Sequence, residues 1–422
     1  MDGDSNYQTI WKTVQRFVQW LNGHGYFSYD PYDIWGTQAG RTTRAVYYRV
    51  PGLGVPLIAP ILLIEMFGPG LRQLFVRKER YATADAQLAL GFLNMCEMTG
   101  DRRYLEKAVT LGEALIETSV PGYEGYCWGY PFDWQNSTAL WRKDTPYITT
   151  VPYGFEAFLG LYRVTQEARY SEAAKSVARF VYYDLNDSPT GKDAAAASYS
   201  PVDATKVINA SAYRAFVLFG AASELGERQY LDKARKNLNF VLESQRANGS
   251  WLYALDNPQE AFIDHFHTCF VLKNLFKINR ILNEDRILYT VRAGYGYYRA
   301  NLFYRNGLPK SFAVEPRRQI SRLDMYDVAE AITLGVLLRN EIPEAYEVAL
   351  KLGVRAAREF QLSDGHFITR IYRGGIRHRL PFLRWAQAQM FLALTNLLAG
   401  EKERRGRSEE AVMVAAADER GS

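Results

Sequence analysis

The stretch MTGDRRYLEKA at residues 98–108 decides the fold, because its pattern returns along the chain. It recurs as VTQEARYSEAA at residues 164–174 and as ELGERQYLDKA at residues 224–234. Similar turn residues follow at Asn283-Glu284, Asn340-Glu341 and Gly400-Glu401. The turns are therefore 57 to 66 residues apart, and a period of this length indicates a repeated supersecondary unit. Each unit is predicted to be a helical hairpin that stacks on its neighbours to bury its apolar stripe.

The hairpins can be counted from the turns. The first helices of the pairs are predicted at residues 81–99, 153–166, 208–225, 264–282, 325–340 and 383–399. The second helices are predicted at residues 102–119, 168–184, 228–246, 285–303 and 343–361. An amphipathic helix over residues 7–21 supplies the sixth partner. The sequence therefore predicts an all-α fold, a single (α/α)6 toroid over residues 1–400. The charged tail over residues 401–422 is predicted to be disordered.

The connections between helices are of two kinds. The turn within each pair is short and polar, whereas the loops that join one pair to the next are long and aromatic. All long loops then lie at one end of the ring, which is predicted to be the functional face. Gln245 and Gln361 each begin a Gln-x-x-x-Gly-x-aromatic element that ends at Trp251 or Phe367. Each Gln is predicted to bond backbone groups at a helix end while the ring packs on the next turn.

The composition excludes several classes of protein. The chain of 422 residues has 51 basic and 46 acidic side chains, a balance that argues against nucleic-acid binding. Three cysteines, Cys96, Cys127 and Cys269, do not make a disulfide framework. The N-terminus lacks the pattern of a signal peptide, so a cytoplasmic location is expected. The 29 Tyr and 8 Trp residues predict an aromatic cleft, because sugar rings stack on such side chains.

One segment stands apart from the repeats. Residues 51–76 read PGLGVPLIAPILLIEMFGPGLRQLFV, and the apolar part from Val55 to Phe67 has Glu65 as its only charge. That part is too short to span a bilayer. Two interpretations remain open. The segment is either a buried helix of the toroid, or an interfacial patch through which residues 55–67 contact a membrane or a lipid-linked substrate.

The repeat, the aromatic loops and the Gln-x-x-x-Gly-x-aromatic elements together resemble the α/α-toroid superfamily, over roughly residues 5–400. That superfamily includes six-hairpin glycosidases, uronic-acid lyases, epimerases and terpene cyclases. The loop Tyr29-Asp30-Pro31-Tyr32-Asp33, followed by Trp35-Gly36, also resembles proteins associated with bacterial polysaccharide biosynthesis. The resemblance implies a carbohydrate-active enzyme with a glycan or glycoconjugate substrate. A terpene cyclase is disfavoured because the sequence has no DxDD or DDxxD motif.

Carboxylates near the predicted loop ends are the candidates for glycosidic-bond hydrolysis, which needs a general acid together with a nucleophile or base. The seven candidates are Asp30, Asp33, Asp133, Asp203, Asp264, Asp324 and Asp327. Each could instead be a helix N-cap. Asp264 is favoured because His265 and His267 follow it directly. The predicted catalytic residues are Asp33, Asp264, Asp327 and His267.

No metal site and no cofactor are predicted, because two histidines two residues apart point to different faces of a helix. Five arginines between Thr369 and Trp385 predict recognition of a uronic acid or sugar phosphate. The predicted substrate-binding residues are Tyr32, Trp35, Trp128, Tyr130, Trp134, Trp251, Tyr253, Arg379 and Arg384.

Three functions remain open at this point. The favoured function is hydrolysis of an acidic oligo- or polysaccharide by a carboxylate pair. A uronate lyase or epimerase would instead use an arginine with a tyrosine or histidine base, such as Arg379 with His267 or Tyr130. A non-catalytic glycan-binding protein of polysaccharide biosynthesis is the third, because a fold does not determine a function.

Overall fold

The recurring turns end helices through residues in the left-handed conformation. Gly100, Gln166, Gly226 and Asn283 have φ angles of 71°, 59°, 78° and 52°. This conformation stops a helix, and glycine and asparagine adopt it at the least cost. The computed structural model describes residues 3–136, 139–316 and 319–421. In these residues the turns up to Asn340-Glu341 separate paired helices, as the sequence predicts, whereas the turn predicted at Gly400-Glu401 is wrong because both residues lie inside one helix, Gln387–Gly421.

The structure is built almost entirely from helices. They are α1 (Gly3–His24), α2 (Asp33–Gly36), α3 (Gln38–Arg49), α4 (Pro51–Phe67), α5 (Ala82–Thr99), α6 (Arg102–Glu117), α7 (Val151–Thr165), α8 (Ala168–Tyr183), α9 (Ile208–Glu224), α10 (Leu231–Glu243), α11 (His265–Leu282), α12 (Asp285–Asn301), α13 (Met325–Leu337), α14 (Pro343–Arg355) and α15 (Gln387–Gly421). A 3-10 helix, Pro69–Leu74, follows α4.

The odd-numbered helices from α5 to α15 form an inner ring. Each packs against the next, and α15 packs against both α13 and α5, so the ring closes. The outer layer consists of α6, α8, α10, α12 and α14, with α1 packed on α15 and α14 as the sixth member. The closure is tight, since a Cβ atom at Gly91 of α5 would lie 2.4 Å from the Phe391 ring of α15. The predicted (α/α)6 toroid is thus confirmed.

Short antiparallel strands lie only in the loops between hairpins. They are β1 (Trp134–Gln135), β2 (Leu140–Trp141), β3 (Asp187–Pro189), β4 (Ala195–Ala197), β5 (Ile263–Asp264), β6 (Phe312–Val314), β7 (Ser321–Asp324), β8 (Arg370–Tyr372) and β9 (Arg377–His378). Strands β1 and β2 pair, as do β3 with β4 and β5 with β6, while β7, β8 and β9 form one three-stranded sheet. These pairings fix the loops at the end of the ring where the inner helices begin.

The Gln elements brace neighbouring repeats as predicted. The Gln245 side chain donates hydrogen bonds to the carbonyl oxygens of Gly249 and Thr290, at 3.0 and 2.9 Å. Gln361 donates in the same way to Thr13 and Gly365, at 2.8 Å each. The bonds to Thr290 and Thr13 tie the loop after an outer helix to the next outer helix. The bond from Gln361 to Thr13 also joins the two ends of the chain.

Helices α2 to α4 and the 3-10 helix form an insert between α1 and α5. On α4 only Gly54, Ile58 and Glu65 are buried, so the interpretation of this segment as a buried helix of the toroid is wrong. None of the described helices is long and apolar enough to cross a bilayer. At the other end of the chain α15 continues to Gly421, and the division into a domain over residues 1–400 and a disordered tail over 401–422 stays a prediction.

Candidate active site

A cavity of about 390 Å³ opens at the end of the ring where the inner helices begin. Every inner helix contributes a residue from its first turn or from the loop just before it. These residues are Thr83 for α5, Thr149 for α7, Val207 for α9, His267 for α11, Tyr326 for α13 and Trp385 for α15. The cavity therefore lies at the end of the ring where the long loops predict the functional face.

Aromatic side chains make up more than half of the cavity wall. They are Tyr32, Tyr48, Tyr130, Trp134, Trp141, Tyr147, Tyr199, Tyr213, Tyr253, Phe262, Phe266, Phe270, Phe312, Tyr326 and Trp385. The hydroxyl groups of Tyr147 and Tyr213 are buried and have no hydrogen-bond partner among the described residues. Buried hydroxyls normally find a partner. The cavity is thus suited to a ligand that offers both flat faces for stacking and polar groups for hydrogen bonds.

Asp264 and His267 form a carboxylate–imidazole pair in this wall. Asp264 is the N-cap of α11, and one carboxylate oxygen accepts the backbone N–H of His267 at 3.1 Å. The other oxygen lies 2.6 Å from Nδ1 of the same imidazole. Asp264 is almost fully buried, whereas the His267 side chain is 17% exposed. The pair fixes the proton on Nδ1 and leaves Nε2 available to a ligand as an acid or a base.

The neighbouring His265 has a different role. It is fully buried, its Nε2 lies 2.9 Å from the Tyr298 hydroxyl, and its Nδ1 lies 3.2 Å from the Leu302 carbonyl. Burial lowers the pKa of His265 to about 3, so this imidazole is neutral and structural. Within the described residues, no three His, Cys, Asp or Glu side chains converge in an arrangement that could hold a metal ion.

Arg384 enters the cavity but its charge is compensated. Its guanidinium donates two hydrogen bonds to the buried Asp30 carboxylate, at 2.5 and 2.8 Å. The same group lies over the rings of Tyr32 and Tyr130, with centroid distances of 5.1 and 4.8 Å. This ion pair orders the aromatic wall and joins the loop before α15 to the loop after α1.

Arg44 of α3 is the second cation in the wall, and it has no carboxylate partner among the described residues. Its Nε donates a hydrogen bond to the Tyr48 hydroxyl at 3.0 Å, and its guanidinium lies 4.1 Å from the centroid of the Trp134 ring. A stacked guanidinium with an uncompensated charge is well suited to pair with a carboxylate or phosphate.

Two of the predicted catalytic carboxylates lie outside the cavity. Asp327 is buried behind the wall and accepts a hydrogen bond from the Ser311 hydroxyl at 2.6 Å. Burial, reinforced by the nearby Asp324, raises the pKa of Asp327 well above its usual value, so it is a neutral structural group. Asp33 is buried beside Arg72 and accepts the backbone N–H of Asp30 at 2.8 Å. Both assignments are therefore withdrawn, since neither carboxylate can reach a ligand.

The predicted substrate-binding residues separate into two groups. Those that line the cavity are Tyr32, Tyr130, Trp134, Tyr253 and Arg384. Those that do not line it are Trp35, Trp128, Trp251 and Arg379. The indole N–H groups of Trp128 and Trp251 donate to the carbonyl oxygens of Leu115 and Val241, each at 2.9 Å, and both rings are buried as braces. Arg379 is exposed on the loop after β9.

The sequence analysis missed several residues of the wall, and some of them had a recognisable signal. Tyr147, Thr149 and Tyr199 lie in the long loops that precede α7 and α9, where the same argument from loop position applies. Arg44 and Tyr48 had no such signal, because they belong to the insert and not to the repeat.

The chain is similar in structure to several enzymes. A crystal structure of an unsaturated glucuronyl hydrolase specific for heparin aligns with a TM-score of 0.63 at 12% identity, over 95% of this chain and 99% of that chain. A GH76 alpha-mannanase from Bacteroides thetaiotaomicron aligns with a TM-score of 0.59 at 12% identity, over 79% and 90%. The cellobiose 2-epimerase of Bacillus thermoamylovorans gives 0.58 at 12% identity, over 76% and 88%.

The fold is that of the six-hairpin glycosidase-like α/α toroids. The predicted resemblance is confirmed at this level. No protein-family model matches the sequence, and no curated protein matches it. At 12% identity these likenesses establish the toroid and leave the reaction to be argued from the cavity.

Proposed function

We propose that this protein is a carbohydrate-active enzyme that acts on an acidic oligo- or polysaccharide by moving a proton at the sugar carbon next to the carboxylate. The observation that carries the proposal is the Asp264–His267 pair in a wall that also contains the uncompensated Arg44. The structural neighbours support a sugar substrate, since they include a cellobiose 2-epimerase and a glucuronyl hydrolase specific for heparin.

Each residue of the cavity wall has a separate role in the proposed proton transfer. His267 Nε2 removes the proton from the carbon next to the carboxylate, and Asp264 stabilises the imidazolium that forms. Arg44 pairs with the sugar carboxylate and stabilises the negative charge that develops on it. Burial raises the pKa of Tyr130 and Tyr199, so these hydroxyls stay protonated and serve as hydrogen-bond partners rather than as bases. This favours His267 over Tyr130 as the base.

Removal of the proton leaves a carbanion next to the carboxylate. The next step of this carbanion distinguishes an epimerase from a lyase. Return of a proton to the opposite face of the carbon gives an epimer. Expulsion of the oxygen substituent on the neighbouring carbon gives an unsaturated uronate and a new reducing end. Both reactions begin with the same proton transfer, so the proposal covers both.

The test is incubation of the purified protein in D₂O with oligosaccharides of glucuronate, galacturonate and mannuronate. We expect one of two results: an epimer that carries deuterium at the carbon next to the carboxylate, seen by NMR, or an unsaturated uronate that has lost its proton at that carbon, seen by its absorbance. New reducing ends without deuterium incorporation and without that absorbance would contradict the proposal and indicate hydrolysis.

Hydrolysis is the second candidate because of one observation. Among the described residues, Asp264 and Glu260 are the two carboxylates that line the cavity. A hydrolase uses a pair of carboxyl groups as general acid and as nucleophile or base. Under this alternative Glu260→Gln abolishes the release of reducing ends. Under proton transfer Glu260→Gln leaves the formation of the epimer or of the unsaturated uronate largely intact, whereas His267→Gln removes it.

Four further statements made from the sequence remain predictions or proposals. A cytoplasmic location, a bacterial source and a part in polysaccharide biosynthesis stay predictions. Contact of residues 55–67 with a membrane or a lipid-linked substrate is proposed as well, and it depends on the outer surface of the insert.

A further inference from the structure

Helix α4 and the following 3-10 helix expose an unusual number of large apolar side chains. Of the twenty such side chains that are exposed in the described residues, nine lie between residues 50 and 75. They are Val50, Leu53, Val55, Leu57, Leu63, Phe67, Leu71, Leu74 and Phe75, and each is between 46% and 71% exposed. We call these nine side chains the insert face. Contiguous apolar surface of this kind usually marks an interaction site.

The arrangement of buried residues on α4 explains why the face is broad. Gly54, Ile58 and Glu65 are spaced four and seven residues apart, so they form one narrow buried strip along the helix. The strip packs on α3, where a Cβ atom at Gly54 would lie only 2.1 Å from the Cα atom of Tyr47. Five further side chains of α4 are half-buried, and the others are exposed, although α4 is apolar around its whole circumference.

The insert face is fixed to the ring by buried charges. Arg72 is fully buried and pairs with Glu65, and its Nε lies 3.4 Å from the Asp33 carboxylate. The guanidinium also lies 4.7 Å from the centroid of the Phe382 ring, in the loop before α15. The face is therefore held in a set orientation relative to the cavity.

The exposed charged side chains at the ends of the insert face are basic, whereas Glu79, directly after Lys78, is half-buried. Between Ile34 and Lys78 the only acid in the sequence is Glu65, which is buried against Arg72. Arg49 at the end of α3, together with Arg77 and Lys78 after the 3-10 helix, is exposed at the ends of the apolar segment. An aliphatic surface flanked by basic side chains fits the interface of a bilayer that contains anionic lipids.

The same insert forms part of the cavity wall. Arg44 and Tyr48 of α3 line the cavity, and α3 packs directly against α4. A ligand bound at Arg44 is thus one helix away from the insert face. We propose that the insert face binds a bilayer of anionic lipids and that the cavity receives the sugar part of a glycan attached to a lipid in that bilayer. The second half of this inference rests on the proposed action on an acidic glycan.

A second copy of the chain fits the surface less well. A symmetric dimer through the insert face would bring the same patch of both copies together. Arg49, Arg77 and Lys78 of one copy would then approach the same cations of the other, with no exposed acid in the segment to compensate them. Like charges in a contact oppose association, whereas anionic headgroups compensate all three.

Vesicle binding tests the membrane half. We expect the protein to sediment with vesicles of equal parts phosphatidylglycerol and phosphatidylcholine, and far less with phosphatidylcholine alone. The variant L53Q/L57Q/F67Q should lose this binding, while the matched control L231Q/L255Q, with two exposed leucines outside the insert, should keep it. R77Q/K78Q should weaken binding roughly 30-fold, since each basic side chain near anionic lipid contributes about a factor of five.

Three results would overturn the membrane half. They are no binding to either vesicle, equal loss in the leucine control, and a concentration-dependent dimer that L53Q/L57Q/F67Q abolishes. The last result would assign the face to a second copy. Circular dichroism and product formation from soluble oligosaccharides should be unchanged in L53Q/L57Q/F67Q, which separates loss of the surface from loss of folding.

A comparison of free and lipid-linked glycan tests the substrate half. The same uronate oligosaccharide is offered free or attached to a lipid in the mixed vesicles, and kcat/KM is expected to be higher for the attached form in the wild type only. Vesicle binding without any reaction on either form would contradict the proposed function and leave the membrane contact standing. Equal kcat/KM for both forms would overturn the lipid-linked substrate.

Discussion

The cavity and the insert face are both rich in large nonpolar side chains, but they differ in chemistry. In the cavity most of these side chains are Tyr and Trp, which combine a flat face with a hydroxyl or N–H group. On the insert face they are mainly Leu and Val, without any polar group, and they are exposed. The first surface suits a sugar and the second suits acyl chains. A high content of nonpolar residues in the sequence therefore has two separate causes in this protein.

The largest effect of a single substitution is expected at His267, where a change should affect the chemistry of the cavity and not the insert face. His267→Gln should reduce the proton transfer about 10²- to 10⁴-fold, because general acid–base catalysis contributes that much. Affinity for the oligosaccharide and for vesicles should change little. The rate at which the deuterated epimer or the unsaturated uronate forms under saturating substrate measures the effect. His24→Gln, a histidine outside the cavity, is the control and should react as the wild type does. An unchanged rate in His267→Gln would remove His267 from the mechanism.

The second prediction asks whether the insert face depends on one buried cation. Arg72→Met leaves Glu65 and Asp33 buried without their positive partner, and losing one member of a buried ion pair costs about 3–5 kcal/mol. We expect a matching fall in the free energy of unfolding and cleavage of residues 50–76 by a protease at low concentration. Arg77→Met removes an exposed arginine nearby and should do neither. Equal stability of both variants would show that the anchor lies elsewhere.

The third prediction concerns pH. Burial raises the pKa of Asp33 to about 7, against the opposing effect of Arg72. A carboxyl with a pKa above its unfolded value near 4 holds its proton more tightly in the folded state, so its contribution to stability is complete below pH 4 and is lost as the pH rises to 7. Asp33→Asn stays neutral and should flatten this fall.

Denaturant midpoints between pH 4 and 8 measure the pH effect. It should be smaller than that of Arg72→Met, because the guanidinium compensates part of the charge on Asp33. Asp232→Asn, at an exposed aspartate on α10, should leave the slope unchanged. A wild type and an Asp33→Asn variant with parallel pH profiles would mean that Asp33 is ionised throughout.

The fourth prediction tests the anion site of the cavity. Arg44→Met keeps the apolar stem and removes the charge. We expect affinity for a uronate oligosaccharide to fall roughly 10- to 100-fold, as for loss of a hydrogen bond to a charged group. Affinity for the same oligosaccharide with its carboxylates reduced to alcohols should not change. Titration calorimetry measures both, with Arg49→Met on the same helix as control. An equal loss for both ligands would assign Arg44 to wall packing alone.

The ring could be predicted from the sequence because its signals are local. The left-handed turns at Gly100 and Asn283 recur with the period of the hairpin, and short-range chemistry determines them. The Asp264–His267 pair was predictable for the same reason, since an N-cap aspartate and the residue three positions later meet at a helix start.

The rest of the site depends on tertiary contacts that no local pattern contains. Arg44 reaches the wall only because the insert is fixed by Arg72, and nothing in the spacing of residues 34–78 indicates that docking. Asp327 lies in the first turn of α13, three residues after the N-cap Asp324, and it faces Ser311 behind the wall. Residue type and loop position therefore select candidates, and the side to which each element turns decides among them.

The smallest expected effect tests whether the ring and the insert face are independent in energy. Gln361→Leu removes one hydrogen bond within its own loop and one that joins the two ends of the chain, and Gln245→Leu removes one within its own loop and one to the neighbouring repeat. Each should lower the free energy of unfolding by about 1–3 kcal/mol, because two backbone carbonyls lose their donor. Vesicle binding should not change in either variant, since neither residue contacts the insert.

The double variant Gln245→Leu/Gln361→Leu tests whether the chain unfolds in one step. Because the two braces lie in different repeats, its loss of unfolding free energy should equal the sum of the two single losses within about 0.5 kcal/mol. A sum that falls clearly short would mean that opening the ring at one brace already releases the other. In that case the toroid does not unfold in one step, and the stability of the cavity has to be treated separately from that of the surface that we assign to the membrane.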